Sequence, residues 1–195
     1  MKKITLTLFT CISMLTWSWA AEKSVTPEQE AKQKLAEESL AKMKEWKEPL
    51  TQQTIENLVN DVAALVEKEG PACFPKFKGK DSKFLPGTYA FILDEKGLML
   101  MHPILWKMEG NVMTGLRDLK TSIPIIIPLL NIAQTKGSGW YSYAWENSKK
   151  RAAMDPITKK ERHPIEDKWT FTKMIKHEGK KYIVSAGEFG ITVKQ

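Results

Sequence analysis

The sequence predicts an α+β domain in which long N-terminal helices pack on an antiparallel β-sheet. Three observations carry this: apolar residues at helical spacing through the first third of the chain, two hairpins of β-prone runs around glycine turns, and no β-α-β alternation that would build a parallel sheet.

Lys2 and Lys3 form a positive n-region, Ile4 to Trp17 carries no charge, and Ser18-Trp19-Ala20 supplies small residues where a signal peptidase reads. The expectation is a signal peptide over residues 1–20, with cleavage near Ala20. The rival reading retains the segment as an anchor, since a spanning helix needs ~20 apolar residues. The threonines and serines of this segment suit an anchor poorly. Cys11 lacks the small residue that precedes a lipidated cysteine, so Cys73 is the one cysteine of the expected mature chain and reads as a buried small hydrophobe.

Residues 21–195 then form one domain, with a helical part at about 26–70 and a sheet part at about 87–190. Loss of Lys2 and Lys3 lowers the charge excess from +7 to +5. The remaining charges are scattered, which suits a solvated basic surface and not a nucleic-acid stripe.

Thr26-Pro27-Glu28 starts a helix whose stripe is Leu35, Leu40, Met43, Trp46 and Leu50, broken at Pro49. Ile55, Leu58, Val59, Val62, Leu65 and Val66 form a second stripe that stops at Gly70-Pro71. Residues 72–87 have no period and read as a connector. Tyr89 to Leu93 and Leu98 to His102 flank Asp94-Glu95-Lys96-Gly97 as a hairpin, and Pro103 ends it. A short helix over Pro128 to Lys136 closes at Gly137. Trp140 to Trp145 reads as a strand, followed by a polar loop to Asp167. Trp169 to Ile175 and Tyr182 to Ala186 form a second hairpin. That order predicts helices on one face of the sheet.

No Walker loop, G-x-G-x-x-G, G-x-S-x-G, H-E-x-x-H or C-x-x-C occurs, so the sequence implies no cofactor, and no catalytic or metal residue can be named. His102, His163 and His177 are too far apart for a short-spaced zinc set. In Gly139-Trp140-Tyr141-Ser142-Tyr143-Ala144-Trp145, strand alternation puts Tyr141, Tyr143 and Trp145 on one face. Such a face can wall a ligand pocket or belong to an ordinary core.

Met101-His102-Pro103, Gly110-Asn111, Asp118, the Tyr-x-Trp strand, Lys168 three before Phe171 and the final Ser185-Ala186-Gly187 occur in an order that resembles a single Cache domain, over roughly residues 26–189. This family comprises extracellular sensing modules of bacterial chemoreceptors and histidine kinases. The resemblance implies a PAS-like sheet and a pocket for a small organic ligand, often a carboxylate. By position, His102, Trp106, Asp118, Tyr141, Tyr143, Trp145 and Lys168 become its ligand-binding candidates, with Lys168 as the point charge and Met99 and Met101 as padding. The sequence departs from the family at Leu119-Lys120-Thr121, where a glycine often follows the aspartate, and in a longer, more basic loop at 147–167.

The expectation is therefore a non-enzymatic, periplasmic or secreted binding protein that takes a small, anionic metabolite and presents it to a membrane receptor or kinase partner. The other reading is an interaction protein whose helix from Glu28 to Glu48 forms a homodimer or binds a partner. An enzyme whose residues meet only in three dimensions would escape a search by spacing.

Overall fold

The computed structural model describes residues 26–155 and 161–194. The expected signal peptide lies outside the described residues.

Helix α1 spans Pro27–Glu45 and opens with a capping box between Thr26 and Gln29. It ends before Pro49 is reached, because the chain turns extended at Trp46, whose ring lies over Gly87. Helix α2, Gln52–Glu69, is capped by Thr51 and buries Ile55, Leu58, Val59, Val62 and Val66 as the stripe predicts. The connector departs from expectation in being ordered: Gly70–Phe77 is a 3-10 helix that buries Cys73 and Phe77 beside α2. Cys73 is a core hydrophobe whose thiol is pushed up by burial.

Strands β1 (Ala90–Asp94), β2 (Met99–Met101), β3 (Ser138–Glu146), β6 (Ile165–His177) and β7 (Lys180–Phe189) form one antiparallel sheet in the order β2-β1-β7-β6-β3. The first turn works as its chemistry requires: Asp94 accepts from the backbone N–H groups of Lys96 and Leu98, and Gly97 takes a φ of 87°. A small ribbon of β4 (Ala153–Met154) and β5 (Glu161–Arg162) stands within the basic loop.

Helices cover both faces of the sheet, which corrects the one-faced expectation. Ala90, Ile92, Phe171, Ile175, Tyr182, Val184 and Ala186 pack on α2. On the other face Phe91, Leu93 and Ile183 pack on α3 (Ile126–Lys136), with Met113 and Ile125 of the preceding loop. The reason lies in the central strands. β1 and β7 are buried at every central position, and such strands need cover on both sides.

Candidate functional site

The sheet face turned away from α2 is unusual in what it buries. Lys168, Thr170, Thr172 and Ser185 all point there, together with His102 from the end of the first hairpin, and each is at most 7% exposed. Thr172 and Ser185 satisfy one another at 2.9 Å, and Thr170 donates to the hydroxyl of Tyr143.

Between this face and the segment 103–126 lies a cavity of about 50 Å³. Tyr143, Trp145, His102 and Lys168 line it from the sheet, Tyr89 and Phe91 from β1 and its approach, and Leu105 and Met108 from the covering segment. The register explains the convergence: Lys168 stands opposite Tyr143 on one side and Phe189 on the other. Its Nζ lies over the rings of Tyr89 and Phe189, at 5.3 and 5.4 Å from their centroids. Among the described residues no carboxylate comes within 4 Å of it. Burial pulls its pKa down, whereas the oxygens of Tyr89 and Tyr143 and the Glu188 carboxylate pull it up. The balance leaves it above the ordinary lysine value, so Lys168 is charged at neutral pH.

His102 is held neutral. Burial first, then the charges of Lys168 and Lys78, lower its pKa to about 3. Its Nδ1 accepts from the backbone N–H groups of Ile104 and Leu105, at 3.2 and 2.9 Å, which places the remaining proton on Nε2. The ring is fixed against Tyr89 and Phe91. It therefore offers an N–H donor while tying down the roof of the cavity. The hydroxyl of Tyr143 accepts from Thr170 and keeps its own hydrogen for another partner.

Of the seven residues singled out from the sequence, His102, Tyr143, Trp145 and Lys168 meet around this cavity. The other three serve elsewhere. Asp118 is consumed by the backbone: one carboxylate oxygen accepts from Lys120 and Thr121, the other from Ala144 on the outer edge of β3. Desolvation opposes its ionisation, but these N–H bonds prevail and lower the pKa to about 2. Trp106 donates from its indole to Gln33 on α1, and Tyr141 donates to the carbonyl of Pro124. Met99 lines the cavity, whereas Met101 faces α2: the register shift between Ile92 and Leu93 sets Met99 beside Leu93 on one face and Met101 beside Ile92 on the other, where plain alternation would have kept the two methionines together.

Tyr89, Phe91 and Leu105 line the cavity without having been singled out. Alternation on β1 could have placed Tyr89 and Phe91 on one face, but nothing local says that this face lies beside Lys168. Among the described residues no group of three or more His, Cys, Asp or Glu side chains converges as a metal site requires.

The sheet thus runs β2-β1-β7-β6-β3, with a long helix on one face and a roofed polar cavity on the other. Residues 80–162 match the family model of the Cache domain. That stretch is similar to a Cache domain. The match covers the cavity's roof and the aromatic strand and stops before β6, so the strand that supplies Lys168 is placed by the fold.

Among solved structures, a Cache chemosensory domain described for its recognition of carboxylic acids aligns at a TM-score of 0.50 and 17% identity, over 72% of this chain and 90% of that one. A periplasmic sensor domain of a chemotaxis protein gives 0.49 and 17%, over 69% and 87%. A methyl-accepting chemotaxis protein from Vibrio parahaemolyticus gives 0.48 and 16%, over 71% and 87%. No curated protein matches the chain. Among the described residues no helix is long and apolar enough to cross a membrane.

Proposed function

We propose that this Cache-like domain is an exported sensory binding module whose ligand is an organic carboxylate held by Lys168. The observation that carries the reading is the buried ammonium of Lys168, which is 7% exposed and has two aromatic faces but no carboxylate beside it. A buried charge is costly unless it is paired and hydrogen-bonded. An incoming carboxylate supplies the missing partner, with His102 Nε2–H and the Tyr143 hydroxyl as neutral donors to its oxygens. Recognition of carboxylic acids by a domain of similar fold supports the same ligand class.

The signal-type N-terminus and this fold together support a periplasmic location and a membrane receptor or kinase as the recipient of the bound state. In this reading the protein binds and presents; no catalytic step is assigned to it.

Isothermal titration against a panel of carboxylic acids tests the reading, with native mass spectrometry of freshly purified protein alongside. The expected outcome is binding of at least one acid, weakened by at least tenfold in Lys168→Met, since a hydrogen bond to a charged group contributes about 1.5–3 kcal/mol. Silence across the panel, together with an empty protein in the native spectra, would defeat it.

One observation favours interaction through α1 as a second reading. That helix buries only Ala36, Ser39 and Met43, while Leu35 and Leu40 each stay 40% exposed. The same native spectra decide it: a dimer that Leu35→Glu dissociates supports the reading, and a monomer at every concentration removes self-association.

A further inference from the structure

The cavity beside Lys168 is too small for most organic ligands, which occupy about 300–1,000 Å³. It does not end at the lysine. A second, open groove of about 920 Å³ begins there, and Tyr89, Leu105, Trp145 and Lys168 line both spaces. The ammonium stands at the throat between them. One of its two aromatic neighbours, Tyr89, borders both spaces, and the other, Phe189, belongs to the outer groove alone.

The outer groove is walled by the C-terminal half of α1 and the chain just after it on one side, and by the end of β7 on the other. Leu40 and Trp46 line it from the first wall and remain 40% and 42% exposed. Phe189 and Ile191 face them from the second. At the rim Lys149 pairs with Glu188 and Lys150 with Glu166, while Lys44 and Arg151 add exposed positive charge at the mouth that also favours an anion. The groove thus offers an apolar strip between charged rims that leads to the buried ammonium of Lys168, within 4 Å of which no carboxylate of the described residues comes.

We infer that the ligand is an amphipathic monocarboxylic acid, with its head group on Lys168 and its hydrocarbon tail in the outer groove against Leu40, Trp46 and Ile191. This rests on the reading of Lys168 as the carboxylate anchor and adds the class of acid. It separates two roles that the sequence could not distinguish: the small inner cavity orients the carboxylate, and α1 measures the tail. It also gives the exposed stripe of α1 an occupant other than a second protein.

Titration of the full chain with straight-chain acids from acetate to decanoate distinguishes the inference from the reading beneath it. Each methylene that leaves water should raise the affinity by about three- to fourfold until the groove is filled. Leu40→Glu on one wall and Ile191→Glu on the other should each flatten that dependence and weaken decanoate by more than tenfold, with circular dichroism confirming that both variants fold. Affinity that is flat with chain length, or that falls beyond butyrate, overturns the tail assignment while leaving the Lys168 anchor standing. That result also follows if another segment or a second copy fills the groove. An absence of binding at every length overturns the anchor itself.

Discussion

The two faces of the sheet are built on different principles. Toward α2 the buried side chains are almost all hydrocarbon: Ile55, Val59, Val62, Val66, Ile92 and Val184 are completely buried. Toward α3 the same strands bury a lysine, two threonines, a serine and, from the neighbouring hairpin, a histidine. Apolar burial stabilises a fold in proportion to area, at about 25 cal/mol per Å², and asks for no particular partner. Buried polar groups stabilise little in net terms and demand geometry. The α2 face therefore supplies the stability that lets the other face keep an unpaired ammonium and a cavity.

The comparison is broken most severely on the apolar face. Ile55→Ala leaves a void in a core with no solvent access and should cost about 2–5 kcal/mol in urea unfolding. The affinity of the molecules that stay folded should be unchanged, because Ile55 touches neither cavity wall. A loss below 1 kcal/mol would mean that this face is not the tightly packed one.

The polar face should respond by partner and not by volume. Thr172→Val strands the hydroxyl of Ser185 in the interior and is expected to cost about 1–3 kcal/mol. Adding Ser185→Ala removes the orphan along with its partner, so the double variant should regain most of the loss. If the two single costs simply add, the pair is not acting as a unit.

How much of this was legible in sequence follows the same division. The stripe of α2, both hairpins and the closing Gly137 were readable because apolar period and turn chemistry are local signals. The Gly70–Phe77 helix was hidden by its prolines, and the two-sided cover of the sheet by the order of elements, which says nothing of the face that α3 takes. Lys168-Trp169-Thr170-Phe171-Thr172 alternates polar and apolar as a half-exposed strand would, yet its polar side is the buried one. What turns it inward is α3 with the long segment before it, and that is a tertiary fact. Asp118 shows the opposite case. It was singled out by its position in the resemblance, and the three backbone N–H groups that it accepts from could not be read from the sequence.

The effect spread over pH is the most diagnostic of the cavity. His102 has a folded pKa of about 3, lowered by burial and by the charges of Lys168 and Lys78, against 6.5 when unfolded. Between those values the unfolded chain binds a proton that the folded chain refuses, so the contribution is fully present above pH 6.5 and is lost as pH falls toward 3. The slope is about 1.4 kcal/mol per pH unit, the equivalent of one proton. Asp118 adds a loss of the same sign only below 3.8, where its unfolded form begins to protonate. Glu28, held below the usual carboxylate value by Lys32, and Glu166, held there by Lys150 and Asn147, add the same sign from about 4.5 downward, so the histidine is read in the interval above that. Unfolding in urea from pH 4 to 7.5 should show this slope in the native sequence. It should be absent in His102→Asn, whose amide oxygen can still accept from the roof but takes no proton. Affinity for a fully ionised carboxylate should meanwhile stay flat above pH 5, since the imidazole donates as a neutral N–H throughout. A one-proton rise in affinity as pH drops through 6.5 would show that the ligand is held by a charged histidine, and the division between a neutral donor and a single cationic anchor would fail.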